Sequence, residues 1–218
     1  MSVSAVVPAH NEAPTIGEVI RVLKNSSAID EIIVVSDGST DDTSEVARTA
    51  GADLVIELPV KGGKGGALAA GVAAAKGEIL FFCDADLYGL TPAHVERLIA
   101  PVREGTLAMC IGLRDWPEPL AWFIPHLPYI GGERALKREV FEAIPPRLLH
   151  GFGIEVALNA VCRARKLKYA GIVSTGVTQR RKMEKVGALR GLWGYIIMIG
   201  QVVFAMISAE VHRNAFNK

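Results

Sequence analysis

The sequence predicts an α/β protein: a mostly parallel, Rossmann-like sheet flanked by helices, with a C-terminal helical appendage. Three observations carry this expectation. A strand, loop and helix succession runs four times through the first half of the chain. Its strands include continuous apolar runs, Ile32–Val35 and Ile79–Cys83, as parallel strands covered on both faces require. Three of the strands give way to polar stretches, Pro8–Glu12, Asp37 onwards and Asp84–Asp86, where open α/β sheets hold their ligands.

The elements follow in order. Val3–Val7 is a short apolar strand ended by Pro8, which cannot donate to a ladder. Thr15–Lys24 spaces Ile16, Val19, Ile20 and Leu23 for one helix face. Ile32–Val35 is the second strand, and the Gly- and Ser-rich loop after it leads to a helix near Thr43–Ala50. Asp53–Ile56 is a third strand and Gly65–Ala75 an alanine-rich helix. Ile79–Cys83 is the fourth strand, followed by a helix over Thr91–Val102 with Thr91 as N-cap and Pro92 at N1. Beyond it, Leu107–Leu113 reads as a strand, and the stretch DWPEPLAWFIPHLPYIGG, with four prolines, as a loop. Glu133–Ile144 and Gly153–Arg165 read as helices, Lys168–Ser174 as a strand, and TQRRKMEKVGALR as a basic loop. Leu192–Ala209 is uncharged for 18 residues.

Composition narrows the class. Half of the 218 residues are apolar and 22% charged, enough for a sizeable core and against disorder. With a net charge of +1 and 6% aromatics, no basic stretch is interleaved with aromatic rings, so no nucleic-acid stacking platform is expected. Cys83, Cys110 and Cys162 are widely spaced and form no CxxC pair, which argues against zinc and for buried thiols in a reducing compartment. The N-terminus lacks a basic stretch followed by a long apolar one, so no secretory leader is expected and the cytoplasm is.

Four segments carry chemistry. Asp84 and Asp86 end a buried strand. Residues i and i+2 of a strand share a side, and two carboxylates there repel unless a cation lies between them. Mg2+ or Mn2+ suits such oxygen ligands and bridges carboxylates to phosphates; the ordinary alternative is a solvated loop start. PAHNE, Pro8–Glu12, offers polar edges at the sheet rim, while Glu12 equally suits the start of the next helix. In SDGSTDDT, Asp37 can accept from a base N–H, whereas Ser39, Thr40 and Asp42 suit helix capping. KGGKGGAL lets backbone N–H groups approach a phosphate with Lys64 beside them, although it matches neither a Walker A loop nor GxGxxG.

In this order, PAHNE, VVSDGSTDDT, KGGKGGALAAG and GEILFFCDADL resemble the family 2-type glycosyltransferases of the GT-A fold, closely over residues 3–113 and more loosely through GGERALKREVF and HGFGIEVAL. The resemblance implies transfer of a sugar from a nucleoside-diphosphate sugar (UDP- or GDP-linked) with Mg2+ or Mn2+. It implies a nucleotide-binding half at 1–113, an acceptor half of the same domain at 114–190, and a hydrophobic helix at 191–218. By position, Pro8, His10 and Glu12 would line the nucleotide, Asp37 would contact its base, Lys64 would lie near it and Asp84 would face the ribose. Asp86 would ligate the metal, with Asp84 helping.

Two branches of that family resemble the chain most. One is the polyprenyl-phosphate glycosyltransferases, which share GGxRxLxREV; the leading expectation is therefore a phosphorylated, lipid-linked acceptor. The other is the glucosyl-3-phosphoglycerate synthases, which share the PALNE- and GSTDDT-like loops and imply transfer to a small phosphorylated acid. The chain departs from both. Leu87-Tyr88-Gly89-Leu90 replaces the first branch's Leu-Gln-His-Pro, and Glu133-Arg134-Ala135 replaces the second's Arg-Val-Thr. Thr178-Gln179-Arg180-Arg181 stands where that second branch has a metal-binding histidine.

For the acceptor side, Gly132, Arg134, Arg180, Arg181 and Lys182 are the candidate phosphate contacts, arginine being suited to bidentate oxyanion recognition. Glu155 is the candidate base, with Glu133 in reserve, and His150 is read first as a loop residue. The segment after Gly191 is expected to meet a partner subunit, giving a homodimer, or the cytoplasmic face of a membrane; packing on its own domain is the third option. The rival classes are a nucleotidyltransferase, whose GxGTR-like first loop Pro8–Glu12 does not match, and a non-catalytic sugar-nucleotide sensor.

Overall fold

The computed structural model describes residues 1–114, 131–149 and 153–179. His150, Arg180, Arg181, Lys182 and the expected helix at 191–218 lie outside them.

β1 (Val3–Ala9), α1 (Ala13–Lys24), β2 (Glu31–Asp37), α2 (Thr43–Ala50), β3 (Leu54–Leu58), α3 (Lys64–Ala74) and β4 (Ile79–Phe82) realise the repeated pattern. A short β5 (Leu87–Tyr88), α4 (Pro92–Arg103) and β6 (Met109–Arg114) follow, then β7 (Arg134–Lys137), α5 (Arg138–Glu142), α6 (Gly153–Ala164), β8 (Tyr169–Ser174) and β9 (Thr178–Gln179). The seven-stranded sheet runs β3-β2-β1-β4-β7-β6-β8. Its pairs are parallel except those of β7, which is antiparallel to both β4 and β6.

β7 departs from expectation. The sequence predicts one helix over Glu133–Ile144, but Arg134–Lys137 is a strand and only Arg138–Glu142 is helical. The gap between β4 and β6 must be bridged by backbone hydrogen bonds. Burial of Arg134, Ala135 and Leu136 there outweighs the small helix propensities of four residues. β7 thereby draws the second half of the chain into the middle of the sheet. Pro8 is a second correction. β1 continues through it to pair Ala9 with Ser36 on β2, and only the β4 side stops, at Val6 opposite Phe82. The prolyl nitrogen thus helps to open a crevice between β1 and β4, where strand order reverses.

Alternation along the strands builds two apolar layers. Val3, Ala5, Val7, Ile79 and Phe81 pack with Ile16, Ile20 and Leu23 of α1 and Val95, Leu98 and Ile99 of α4. Val6, Leu80 and Phe82 face Leu68 and Val72 of α3, Phe141 of α5, and Ile154, Leu158 and Val161 of α6. Burying an aromatic such as Phe81 or Phe82 stabilises by about 1.5–3 kcal/mol, so these layers hold the strand ends at fixed spacing. α3 sits unusually close: a Cβ on Gly71 would lie 2.3 Å from Val6 Cγ1. At α4, Thr91 and His94 form the reciprocal cap that Thr91 predicted. The three cysteines are buried thiols. Among the described residues no helix is long and apolar enough to cross a membrane.

Candidate active site

The polar stretches after β1, β2 and β4 meet at one rim. Asn11, in a left-handed conformation, stitches the first loop to the second. Its Oδ1 accepts from Thr40 N at 2.8 Å and its N–H donates to Ser39 Oγ at 3.1 Å. Glu12 N donates to Thr43 Oγ1 at 2.9 Å, and Ala13 N to Asp41 Oδ2 at 3.2 Å. Ser39, Thr40 and Asp42 were expected to cap α2. Ser39 and Thr40 instead bond Asn11, and Asp42, at the N-cap of α2, makes no side-chain cap bond. Asp41 serves both helices, since its other oxygen, Oδ1, accepts from Thr43 N at 3.1 Å. Burial works against the charge of Asp41, but hydrogen bonds from Thr43 and the backbone outweigh it and hold its carboxyl below the usual range.

Asp37 closes β2 and is 4% exposed. Its carboxylate accepts from Gly62 N at 2.6 Å and Gly63 N at 2.8 Å. It thus anchors the KGGKGG loop directly before α3. Gly38 permits this approach: its φ is +62°, and a Cβ there would lie 2.6 Å from Lys61 N. His10, half-buried after β1, has Nδ1 2.7 Å from the carbonyl oxygen of Asp37.

The anchored loop delivers Lys64, the first residue of α3, into a cluster of charge. Its Nζ lies 2.7 Å from Asp84 Oδ1 and 2.8 Å from Glu155 Oε1 on α6. Burial alone would lower the Lys64 pKa, but the two carboxylates reverse this and push it far above the ordinary lysine value. Burial likewise opposes the charge on Asp84, and Lys64 outweighs it, holding that carboxyl low. Asp84 Oδ2 also accepts from Gln179 Nε2 at 2.9 Å, because β9 pairs with β5. A Cβ on Gly132 would lie 1.8 Å from Asp84 Oδ2, so the carboxylate rests directly against that glycine.

Behind this cluster, Arg114 Nη2 lies 2.7 Å from Glu133 Oε1. Glu133 is 2% exposed, and burial together with the neighbouring Asp84 charge raises its pKa. Arg134, expected as a phosphate contact, is 1% exposed. Its guanidinium donates to Gly131 O at 2.8 Å, Asn159 Oδ1 at 2.9 Å and Glu155 O at 3.2 Å. It braces β7 against α6 beneath the site.

The acids after β4 also differ from expectation. β4 ends at Phe82, and Ala85 and Asp86 lie in a turn, so strand alternation does not place Asp84 and Asp86 on one side. Asp86 is half-buried. Among the described residues no cluster of three or more His, Cys, Asp and Glu side chains is placed to hold a metal. The donor set still fits a hard divalent ion that takes one or two carboxylates and fills its remaining positions with phosphate oxygens and water.

The structure therefore brings together Pro8, His10, Glu12 and Asp37 at the ends of β1 and β2, and Lys64, Asp84, Gly132 and Glu155 in one contact chain. Gln179 and Arg114 join them without having been singled out. Gln179 adjoins the basic run that drew attention to Arg180, and Arg114 ends a strand at the ligand edge, so position was the signal for both.

Residues 4–162 match the model of the Glycosyl transferase family 2. Glucosyl-3-phosphoglycerate synthase of Mycolicibacterium paratuberculosis is 40% identical over 112 residues, 48% of this chain and 34% of the relative. Glycosyltransferase AglD of Haloferax volcanii is 34% identical over 174 residues, 66% of this chain and 28% of the relative. Among solved structures, the chain resembles glucosyl-3-phosphoglycerate synthase from Mycobacterium tuberculosis in complex with Mn2+, UDP-glucose and glycerol 3-phosphate. The TM-score is 0.75 and the identity 29%, covering 95% of this chain and 79% of that one. The chain spans about a third of the length of the first curated relatives it matches.

Proposed function

The chain belongs to glycosyl transferase family 2, and from that premise we propose that it moves a glucosyl group from UDP-glucose to a small phosphorylated acid of the 3-phosphoglycerate kind. The observation that carries this reading is the unbroken run of contacts from Asp37 through Gly62 and Gly63 to Lys64, Asp84 and Gly132. It joins a base-side rim to a phosphate-side charge cluster across one crevice. The relatives of known name favour this acceptor over the lipid-linked one that the sequence put first, since the similar synthases act on phosphoglycerate by name and solved relatives hold UDP-glucose with phosphorylated small molecules.

In this reading residues 1–113 hold the nucleotide and 114–190 the acceptor. Asp37 fixes the glycine loop that frames the donor, and Asp84 meets the ribose. Lys64, its charge secured by two carboxylates, lies against the diphosphate. Asp86, helped by Asp84, would hold Mg2+ or Mn2+, which when bound offsets charge developing on the departing diphosphate. In the reaction the bond from the anomeric carbon to the UDP oxygen breaks. A bond to the acceptor hydroxyl oxygen forms, and the hydroxyl proton passes to the Glu155 carboxylate. Glu155, beside Lys64, is the carboxylate assigned to the sugar and acceptor hydroxyls. Arg114, Gly132, Arg180, Arg181 and Lys182 are assigned to the acceptor phosphate, and Arg134 braces β7 against α6 beneath Glu155.

The test is UDP release by the purified protein from UDP-glucose with Mn2+. Release that requires 3-phosphoglycerate, and is lost with chelator and in Asp86→Ala, is the expected result. Release with a polyprenyl phosphate and none with 3-phosphoglycerate would return the acceptor to the lipid-linked class. Absence of turnover with every acceptor, despite tight UDP-glucose binding, would favour a sensor.

A further inference from the structure

We propose that a second copy of this chain docks on the outer edge of β3, the two strands pairing antiparallel about a two-fold axis at Ile56. The inference is independent of the nucleotide-sugar reading. Its surface also differs from the segment after Gly191, which the sequence offers as a subunit contact.

β3 closes one side of the sheet, and among the described residues no strand pairs with its outer edge. Its inner edge is fixed by register: Asp53 N donates to Ile32 O at 2.9 Å, and Leu54 lies opposite Ile33. In a parallel pair, residues that bond the neighbour alternate with residues whose N–H and C=O point away. Asp53, Val55 and Glu57 therefore serve β2, while Leu54, Ile56 and Leu58 present their backbone groups outwards. The same three side chains lie on the α3 side of the sheet. There Ile56 and Leu58 are partly covered beside Ala70 and Ala74, and Leu54 is 42% exposed. Natural sheets blunt a free edge with lysine, proline or a bulge, yet all three outward positions here are apolar.

Charge leaves this strand complementary to itself in one register. Outward residues must face outward residues, so the two-fold axis passes through a residue. An axis at Val55 sets Glu57 against the partner's Asp53, and an axis at Glu57 sets it against its own copy. Both place like charges directly opposite, which is destabilising. An axis at Ile56 sets Leu54 against Leu58 and Ile56 against itself, each facing pair exchanging both backbone bonds. Glu57, already held by Arg48 of its own chain, then faces Val55. Asp53 faces Pro59, which stands at a position pointing away from the partner, where its missing N–H breaks no bond. The contact is isologous, so each favourable pair off the axis occurs twice. It also clamps β3 just before Gly62 and Gly63, the glycines that Asp37 holds.

Sedimentation equilibrium of the full chain should show a concentration-dependent equilibrium between monomer and dimer. Leu54→Lys changes a side chain that is already exposed, and it acts at both ends of the pairing. It should weaken association by about tenfold or more with an unchanged circular dichroism spectrum. Ile56→Cys gives a second reading that does not depend on the lysine variant. Facing residues of this kind have Cα atoms about 5.5 Å apart, within disulfide reach. Mild oxidation should therefore cross-link Ile56→Cys into covalent dimers. Val55→Cys, which does not face itself, should stay as single chains, as should the wild type with its three buried cysteines. A wild type that is monomeric at every concentration would overturn the proposal. Dimers that survive Leu54→Lys unweakened, or that fail to cross-link through Ile56→Cys, would place the contact on another surface and overturn it equally.

Discussion

Lys64 Nζ stands 2.7 Å from Asp84 Oδ1, with the two side chains 19% and 15% exposed. The pair joins the first turn of α3 to the loop after β4. Glu155, 91 residues further along the chain than Lys64, holds the same ammonium from α6. One cation thus ties together the first four strands of the sheet and the second half of the chain.

Lys64→Met should therefore damage both stability and donor binding. It leaves two carboxylates side by side in a partly dry site, where breaking such a pairing costs about 3–5 kcal/mol. Urea denaturation should show the loss, and UDP affinity should fall with it. Unchanged stability would mean that the ammonium is held too loosely to matter.

Gly132→Ala is predicted to separate activity from folding. Its Cβ would occupy the position of the Asp84 carboxylate, displacing that side chain from both Lys64 and Gln179. A shift of about 1 Å in a positioned group costs about a hundredfold in turnover, while the apolar layers are untouched. Steady-state UDP release alongside a thermal melt checks this. A fully active Gly132→Ala protein would show that Asp84 does not act from this position.

Gly71→Ala tests the packing of α3 on β1. In a free helix the change favours folding by about 1 kcal/mol. Here the new methyl meets Val6 at 2.3 Å, and overpacking costs about 1–3 kcal/mol. The single variant should melt lower than wild type, and the double variant Gly71→Ala with Val6→Ala should recover part of the loss. Additive losses in the double variant would contradict the close approach.

Glu31→Gln probes the end of the sheet opposite the site. Glu31 accepts from Ser4 Oγ and Lys76 N, tying β1, β2 and the exit of α3. Burial opposes its charge, but the hydrogen bonds from Ser4 and Lys76 prevail and lower its pKa in the folded state. The unfolded chain therefore binds more protons in the acid range, and this stabilisation is present above about pH 4.3 and lost as pH falls through the folded value. The stability gap between wild type and Glu31→Gln should be widest near neutrality and close towards pH 3, with turnover unchanged. A gap independent of pH would show that the carboxylate charge contributes nothing.

Much of the layout was legible in the chain because local patterns carry it. Ile32–Val35 and Ile79–Cys83 lack polar residues, which two-sided burial requires, and Thr91-Pro92 announces a helix start. Parallel strands of this kind bring their C-terminal ends together, so the sequence itself assigns Pro8–Glu12, Asp37 and Asp84 to one rim. Misread residues owed their state to distant neighbours. Arg134–Lys137 pairs with β4 and β6 across intervals no periodicity records. Arg134 looked like a phosphate contact because a guanidinium suits oxyanions, and burial changed its task.

From residue types and spacing alone came the α/β class, the four strands of the first half and the rim where the polar loops converge. Three-dimensional packing supplied the partners: Asp37 on the glycine loop, Lys64 between Asp84 and Glu155, Gln179 on Asp84, and Gly132 against a carboxylate. The physical reason is range. Burial period and turn chemistry act between near neighbours and leave a mark at fixed spacing. A hydrogen bond or ion pair acts over about 3 Å of space between residues whose separation along the chain is unconstrained.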